Sequence, residues 1–554
     1  MDMNKMLKRL LLFCLTAALL LLPASAETFA GAQDAAFADA QAVILFTTDV
    51  HCGASDGLGY AGVAGVRAAL EEAGKDVLLI DVGDAIQGAP LGSLSEGEYV
   101  TRIMNEMGYD AAVPGNHEFD YGMARFLELA ESAAFPYVSA NFMSLETEES
   151  VFPAYVMLEA GGYQIAILGI CTPKTITSST PAYFQNEAGE FIYGFCQDDT
   201  GEALYACVQA AADEARAQGA DYVIAAAHLG IDMSASPWTS SEVIANTSGI
   251  DAVLDGHAHQ VIESEWVKNK DGEDVLLTSP GTKLERIGAV CIGEDGKLTA
   301  VSIDALADGV ADADMAAFVA GIEGELAEVV ETVVATSEVD LVIEDPATGA
   351  RIVRTAETNL GDLCADAYRA VTGADVAMVN GGGVRAAIPA GEITYGDIIN
   401  VHPFGNEVCM VETTGAQILD ALEMGCSALP AEFGGFQQVS GLTYEIDMNV
   451  DSTVELDENG MFVGVTGDRR VQNVYVGDEP LDPEKTYTLA SHNYMLKNGG
   501  DGFNMFVGDE LLLEDIMLDN EALISYIVDT LGGVIGEDYA DPYGQGRIVA
   551  IAKE

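Results

Sequence analysis

Basic side chains are scarce in this sequence: 24 Lys and Arg stand against 89 Asp and Glu over 554 residues, a formal net charge of −65. That balance excludes a nucleic-acid polymer held on a basic face, because its phosphate backbone would be repelled. Cysteine is sparse as well. The nine Cys contain no C-x-x-C pair, which excludes a zinc–thiolate site of the usual spacing. Beyond the N-terminus no run of about 20 apolar residues occurs, so no later segment reads as a membrane-spanning helix. Core material, by contrast, is plentiful. Apolar residues make up 49% of the chain, charged residues 20%, and mean hydropathy is +0.19, which excludes a disordered chain. The length calls for two or more domains, and 59 Gly promise many tight turns where backbone nears a ligand.

The first 26 residues read as a secretory signal. Lys5, Lys8 and Arg9 precede an apolar run at 10–22, followed by Pro23 and the small-residue sequence Ala24-Ser25-Ala26. The run is short for a bilayer span. Cleavage after Ala26 would leave 528 residues of the 554, opening with an Ala-rich lead-in at 27–40 that shows no clear period. The expected location is outside the membrane: periplasmic, at the cell envelope or extracellular. Cys14 leaves with the signal, and the eight remaining Cys permit disulfides without specifying any.

From residue 41 short apolar runs end abruptly in polar residues, at 42–47, 77–82, 164–170, 222–227 and 250–254. Segments with helical spacing, such as 60–73 and 201–217, lie between them. Strands alternating with helices imply an α/β layered domain with a buried sheet, and ligands gather beyond the C-terminal ends of its strands. Residues 311–335 are rich in Ala and Glu, lack proline and read as one long helix between domains. A second α/β or α+β unit follows, with glycine clusters at 381–383 and 499–502.

Five of the seven histidines lie just past a strand or in a glycine turn, beside other potential ligands. Asp49-Val50-His51 follows the first strand, Gly83-Asp84 the second, and Gly115-Asn116-His117-Glu118 a weak strand at 111–113. His228 ends the run YVIAAA, and Gly256-His257-Ala258-His259 follows IDAVL. A lone histidine is most often structural. Five such pieces at one edge of one sheet point instead to metal, and imidazoles with carboxylates and no thiolate suit Zn²⁺, Mn²⁺ or Co²⁺. The count suffices for two ions, with Asp84 as the candidate bridge. His117 has Asp120 three residues on; a carboxylate there could orient the ring and favour its charged form, or merely cap the next helix. Arg354 and Arg385 add positive charge from the second unit, and Arg385 follows three glycines.

The motifs TTDVH (47–51), GDAIQG (83–88), GNHEFDYG (115–122), AHLG (227–230) and GHAH (256–259) resemble the calcineurin-like metallophosphoesterase pattern. With NGGGVR (380–385), HPFGN (402–406) and NGGDGF (498–503), the chain resembles the exported 5′-nucleotidase, UDP-sugar hydrolase and 2′,3′-cyclic-nucleotide phosphodiesterase family from about residue 42 onward. The resemblance implies a four-layer α/β/β/α metallophosphoesterase sandwich at 41–305, a linker helix at 306–337 and a nucleotide-recognition domain at 338–554. It implies one divalent ion at Asp49, His51, Asp84 and His259, and a second at Asp84, Asn116, His228 and His257. Many members carry Gln where this chain has His259. Hydrolysis would proceed by in-line attack of a metal-bound hydroxide, with the His117–Asp120 dyad serving the phosphate or the leaving oxygen. Substrate contacts would come from Arg354, Asn380, Gly382 and Arg385, from the base-stacking Phe404, and from Asp501 at the sugar. The second stacking aromatic would be Tyr494, displaced by a one-residue insertion, although Met495 occupies the usual position. The expected substrate is a nucleoside 5′-monophosphate. ETNLGD (357–362) and HNY (492–494) lean instead towards a 2′,3′-cyclic phosphodiesterase with 3′-nucleotidase activity. UDP-sugar cleavage and a non-catalytic nucleotide-binding protein are the other readings. Nothing in the sequence sets the oligomeric state.

Overall fold

A computed structural model describes residues 33–551 apart from 187, 233–234, 307–309 and 515. The signal-like segment and Cys14 lie outside the described residues. Within the expected lead-in, Gln33–Asp39 forms a short helix with Phe37 buried beneath it. Seven residues are too few to show a helical period in sequence; docking of the aromatic ring supplies the stability.

The first half is built on two sheets packed face to face. In one, β1 (Ala40–Thr47), β2 (Asp76–Asp81) and β3 (Ala111–Ala112) run parallel. The other centres on three parallel strands, β4 (Tyr163–Cys171), β5 (Tyr222–His228) and β6 (Ala252–Asp255). Alternate side chains of β1 explain the layering. Ala42, Ile44 and Phe46 meet Ile165, Ile167, Ile224, Ala226 and Leu254 of the opposite sheet. Val43 and Leu45 face the helices α1 (Gly59–Glu72) and α2 (Glu98–Met107). The outer face of the second sheet buries Leu204, Val208 and Ala212 of α3 (Glu202–Ala217). The result is four layers, α/β/β/α. Strands buried on both faces read as unbroken apolar runs rather than alternating ones.

That same property hides which sheet a strand belongs to, and one expectation is corrected here. The five ligand-bearing pieces, four of them with histidine, do not share one sheet edge. Those after β1, β2 and β3 come from the first sheet, and those after β5 and β6 from the second. Both sheets present the C-terminal ends of their parallel strands to one cleft.

Helix α4 (Ala313–Val330) lies within the segment expected to be helical. Asp312 caps it by accepting from the Met315 backbone N–H at 2.7 Å, and Met315, Val319 and Ile322 pack into the first core. The end of that expected helix is corrected: residues 333–337 form a strand instead, because pairing with 391–394 and 534–535 of the second half captures their backbone. The second half contains a five-stranded mixed sheet in which β7 (Val376–Asn380) lies between β8 (Gln437–Ser440) and β9 (Thr486–His492). Helix α5 (Asn359–Thr372) covers one face and α6 (Gly415–Gly425) the other. The eight described cysteines are free thiols. Among the described residues no helix is long and apolar enough to cross a membrane.

Two buried histidines in this half tie stability to pH. His492 donates from Nε2 to Asn380 Oδ1 at 2.9 Å and accepts the Met495 backbone N–H on Nδ1 at 3.4 Å, so it is held neutral. Burial, then His402, pushes its pKa down to about 3; burial pushes His402 to about 4. Both folded values lie below the unfolded value. Their contribution is therefore present above about pH 6.5 and is lost as pH falls through the window towards 3. His492→Gln, which keeps a donor for Asn380, should flatten the loss of stability between pH 6 and 4 by about 1.4 kcal/mol per pH unit. Urea midpoints of both proteins across that range measure it; parallel curves would contradict it.

Candidate active site

The strand-end turns are conformationally costly. Asp49, His51, Asp84, His257 and His259 all have positive φ, between 47° and 74°. Non-glycine side chains accept that backbone only where the surroundings impose it, and such strain concentrates at functional sites. Glycine clears the remaining space. A Cβ on Gly115 would stand 2.2 Å from Asp84 Oδ1, and one on Gly256 would stand 2.1 Å from Thr48 Oγ1.

These turns bring all seven metal-ligand candidates together. Ligand atoms of Asp49, His51 and His259 form one group and those of Asp84, His228 and His257 another, each within 4.8 Å; His51, Asp84 and His117 form a third. The hydrogen bonds dictate what these groups offer. His51 Nδ1 donates to Gln87 O at 3.0 Å, and His228 Nδ1 donates to Val82 O at 2.7 Å. Their Nε2 atoms are thereby turned inward. His51 Nε2 meets His259 Nε2 at 3.1 Å, His228 Nε2 meets Asp84 Oδ2 at 3.1 Å, and His259 Nε2 meets Asp49 Oδ1 at 3.3 Å. Three imidazole nitrogens and two carboxylate oxygens thus converge at hydrogen-bond distance, an arrangement from which divalent cations would draw their ligands. Asn116 Oδ1 is buried with no hydrogen-bond partner, one more acceptor in the same place. This donor set of imidazoles, carboxylates and an amide oxygen fits two divalent cations, with Asp84 between the two groups.

Glu118, quoted in the sequence motif but given no role there, holds the arrangement from below. Its carboxylate accepts the backbone N–H of Asp84 and of Ala85, both at 2.8 Å, and of Gly115 at 2.6 Å. Burial, then the Asp84 carboxylate, raises its pKa to about 7. One side chain thus ties the Asp84 turn to the Asn116 turn. Glu118→Ala leaves three buried donors unpaired, at about 1–3 kcal/mol each. We expect a stability loss of roughly 3 kcal/mol or more together with weaker metal binding, checked by denaturant titration and by metal content after dialysis.

His117 and Asp120 stand above the cluster. His117 Nδ1 donates to Asp120 Oδ2 at 2.5 Å, and Asp120 Oδ1 accepts from Ser179 Oγ at 2.9 Å. The Asp120 carboxylate therefore orients an imidazole and caps no helix. Burial works against charge on His117, but Asp120 and Asp84 hold its pKa above the ordinary histidine value.

The second half closes over this floor. Arg354, Asn380, Gly382, Arg385, Phe404, Tyr494 and Asp501 all line the same cleft as Asp84, Asn116, His117, Asp120, His257 and His259. The Phe404 ring stacks on His117 with centroids 5.6 Å apart, and the Arg385 guanidinium lies 5.7 Å over Phe404. Asn380 Nδ2 donates to Asp501 Oδ2 at 2.7 Å. Of the two candidates for the second aromatic, Tyr494 lines the cleft while Met495 is fully buried in the core. The Tyr494 hydroxyl donates to Thr177 O of the first half at 2.7 Å and accepts the Asp501 backbone N–H at 2.9 Å.

Sequence reasoning missed several lining residues: Lys174, Asp232, Arg351, Glu432 and Phe433. Lys174 was within reach of the strand-end rule, since it lies three residues past β4. Arg351 pairs with Glu432, whose Oε2 accepts from Nε at 2.6 Å. The guanidiniums of Arg351, Arg354 and Arg385 line one mouth, and burial, then Arg351, lowers the Arg385 pKa to about 10. Local charge, not the overall excess of acid, governs binding here. Screening acts over roughly 8 Å at physiological salt.

A cation-binding floor under an arginine-lined cleft defines a metal-dependent hydrolase of phosphoric esters. Comparison with known proteins agrees. The calcineurin-like phosphoesterase family matches residues 42–261, and the 5′-nucleotidase C-terminal domain matches residues 333–508. The chain thus joins a calcineurin-like phosphoesterase domain, of a family that uses divalent metals, to a 5′-nucleotidase C-terminal domain. It is 29% identical over 502 residues to the trifunctional nucleotide phosphoesterase protein YfkN of Bacillus subtilis, covering 80% of this chain but 31% of that protein. It is 27% identical over 497 residues to a 5′-nucleotidase of Vibrio vulnificus, covering 83% and 84%. The solved 5′-nucleotidase precursor of Thermus thermophilus superposes with a TM-score of 0.76 at 26% identity, covering 93% of this chain and all of that one.

Proposed function

We propose that the protein is an exported 5′-nucleotidase that releases phosphate from nucleoside 5′-monophosphates with two divalent ions, zinc, manganese or cobalt. One observation carries the reading: phosphate-binding chemistry on the floor and two aromatic rings, Phe404 and Tyr494, beside Asp501 on the roof of one cleft. The proposed units are a signal at 1–26, a lead-in at 27–40, a metal-binding domain at 41–305, a linker at 306–337 and a substrate domain at 338–554. Asp49, His51, Asp84, Asn116, His228, His257 and His259 would hold the ions. When bound, they supply neutralisation of phosphoryl charge and a water of lowered pKa. His117, oriented by Asp120, donates a proton or hydrogen bond to the phosphate or the leaving oxygen. Arg354 and Arg385 grip phosphate oxygens as planar forks. Phe404 and Tyr494 present faces to the base, and Asp501 accepts from a sugar hydroxyl, steadied by Asn380 with Gly382 leaving room for the ligand.

Of the two segments that lean towards the cyclic phosphodiesterase, 357–362 stands outside this cleft, whereas 492–494 contributes Asn493 and Tyr494 to it. Glu357 accepts the backbone N–H groups of Gln545 and Ile548, and Asn359 donates to Asp340 O and Tyr539 O. These residues fasten the scaffold, and none of 357–362 lines the cleft. Phosphate release from AMP, 3′-AMP, 2′,3′-cyclic AMP and UDP-glucose by the purified protein, loaded with Mn²⁺ or Zn²⁺, tests the reading. AMP should dominate. Dominance of the cyclic ester or the UDP-sugar would replace the substrate while leaving the metal site standing; no turnover of any of the four would leave a nucleotide-binding protein.

A further inference from the structure

We infer that Gln438, outside the cleft, is a positioning residue for phosphate recognition: it holds the 353–358 loop so that Arg354 stands in register with the turn that carries Arg385. The inference rests on the proposed role of Arg354 as a phosphate contact and goes beyond it.

Gln438 lies on β8, fully buried, opposite Val379 of β7. Its side-chain amide makes three hydrogen bonds, all to one loop. Nε2 donates to Val353 O at 2.9 Å and to Ala356 O at 2.7 Å, while Oε1 accepts from the Thr358 backbone N–H at 3.1 Å. Arg354 sits between the two gripped carbonyls. Its own carbonyl accepts the Phe433 backbone N–H at 3.3 Å. On the other side β7 ends in Asn380 and continues through Gly381–Gly383 to Arg385. That turn is zipped to the turn leading into β8: Gly381 N–H donates to Phe436 O and Gly382 N–H to Gly434 O, both at 2.7 Å. A Cβ on Gly381 would stand 2.2 Å from Val353 O, so the two loops touch. The first turn of α5 closes the remaining side; a Cβ on Gly361 would fall 2.3 Å from Gln438 Oε1.

The two guanidiniums therefore come from loops that share no strand; the Gln438 amide and the 433–436 turn join them, and of these only Gln438 grips the carbonyls on both sides of Arg354. Bidentate grip on a phosphate depends on both forks facing the same oxygens. A leucine at 438 would fill the space but leave two carbonyls and one N–H unpaired in a dry site, and the loop would move to find other partners. Arg354 itself stays intact and charged, but misplaced. An interaction made with bound phosphate in both ground and transition state appears in KM rather than in kcat.

The test uses the full metal-loaded protein, with p-nitrophenyl phosphate as substrate and inorganic phosphate as competitor, so that it does not depend on the choice of nucleotide. In Gln438→Leu we expect KM and the phosphate KI each to rise about tenfold or more, with kcat within about threefold of the parent. Gln438→Glu keeps the size and the acceptor for Thr358 but loses both donors, and should behave alike. Arg354→Ala should raise both constants too, and combining it with Gln438→Leu should add little, because both changes remove one contact. Phosphate KI within about twofold of the parent in both folded Gln438 variants would overturn the inference. So would full additivity in the double variant, or failure of both Gln438 variants to fold, which would make the residue purely structural. If Arg354→Ala alone leaves KM and KI unchanged, the phosphate contact falls and this inference falls with it. Turnover of p-nitrophenyl phosphate but of no nucleotide would remove only the nucleotidase reading.

Discussion

His117→Ala should lower kcat by about 10²–10⁴-fold while the metal content of the protein stays at its parental value. The separation of the two readouts follows from how the residue is held. The backbone N–H of His117 donates to Asp84 Oδ1 at 2.8 Å, and alanine keeps that bond. The imidazole donates to Asp120 at 2.5 Å and stacks on Phe404, and it reaches the cluster only through its ring edge, 5.2 Å from the His51 ring centre to centre. Truncation thus removes a donor from above the cluster without loosening the turn that carries Asn116 and Asp84. Asp120→Asn should cost less, because the ring remains and only its orientation and charge are relaxed. Phosphate release with saturating AMP, beside elemental analysis of the same samples, measures both quantities. A His117→Ala protein within tenfold of the parent would remove the proposed donor; one that has lost its metal would show that the ring belongs to the ion site instead.

Asp84→Asn should fail differently. This carboxylate faces His228 at 3.1 Å and His51 at 3.9 Å, and so stands between the two ligand groups. Replacing it removes one negative charge shared by both proposed ions and leaves an amide that can present only one oxygen. Bound divalent metal should fall from about two per chain to one or fewer. Activity should fall on the order of 10³-fold or more, the scale of several kcal/mol of lost charge stabilisation. Added metal should raise the Tm of the parent protein by linkage but shift the variant little. Titration followed by calorimetry gives the stoichiometry directly. Two ions retained at full affinity would show that Asp84 is not the bridge, whatever the activity.

How much of this was legible in the chain can be judged residue by residue. Each apolar run at 42–47, 77–82, 164–170, 222–227 and 250–254 is a strand, because a buried parallel strand needs unbroken Val, Ile and Leu and little else does at that length. The residues past those strands were legible for a related reason. A side chain just beyond a strand end is the one such a fold can aim at a ligand, and Asp49, His51, Asp84, His117, His228, His257 and His259 all sit there. Position along the chain was therefore enough to name the cluster. It was not enough to assign those strands to two sheets, since a strand covered on both faces carries no mark of its neighbour.

What only the tertiary structure decided is how distant segments meet. The convergence of the ligand candidates, the Asp84 and Ala85 N–H groups on Glu118 and the pairing of Tyr494 with Thr177 depend on contacts between segments 30 to more than 300 residues apart. Nothing local distinguishes Glu118 from a solvated glutamate or Gln438 from any strand residue. Tyr494 against Met495 was open in sequence because an insertion of one residue shifts a motif without changing its letters; packing put the polar ring in the cleft and the thioether in the core. The sequence by itself determined the parallel strands of the first half, a donor set suited to cations and the two-part organisation, all of which rest on residue type and spacing. The tertiary structure decided which groups are buried, which lone pairs converge and which loops touch, because those follow from the packing of chain segments that are strangers in sequence.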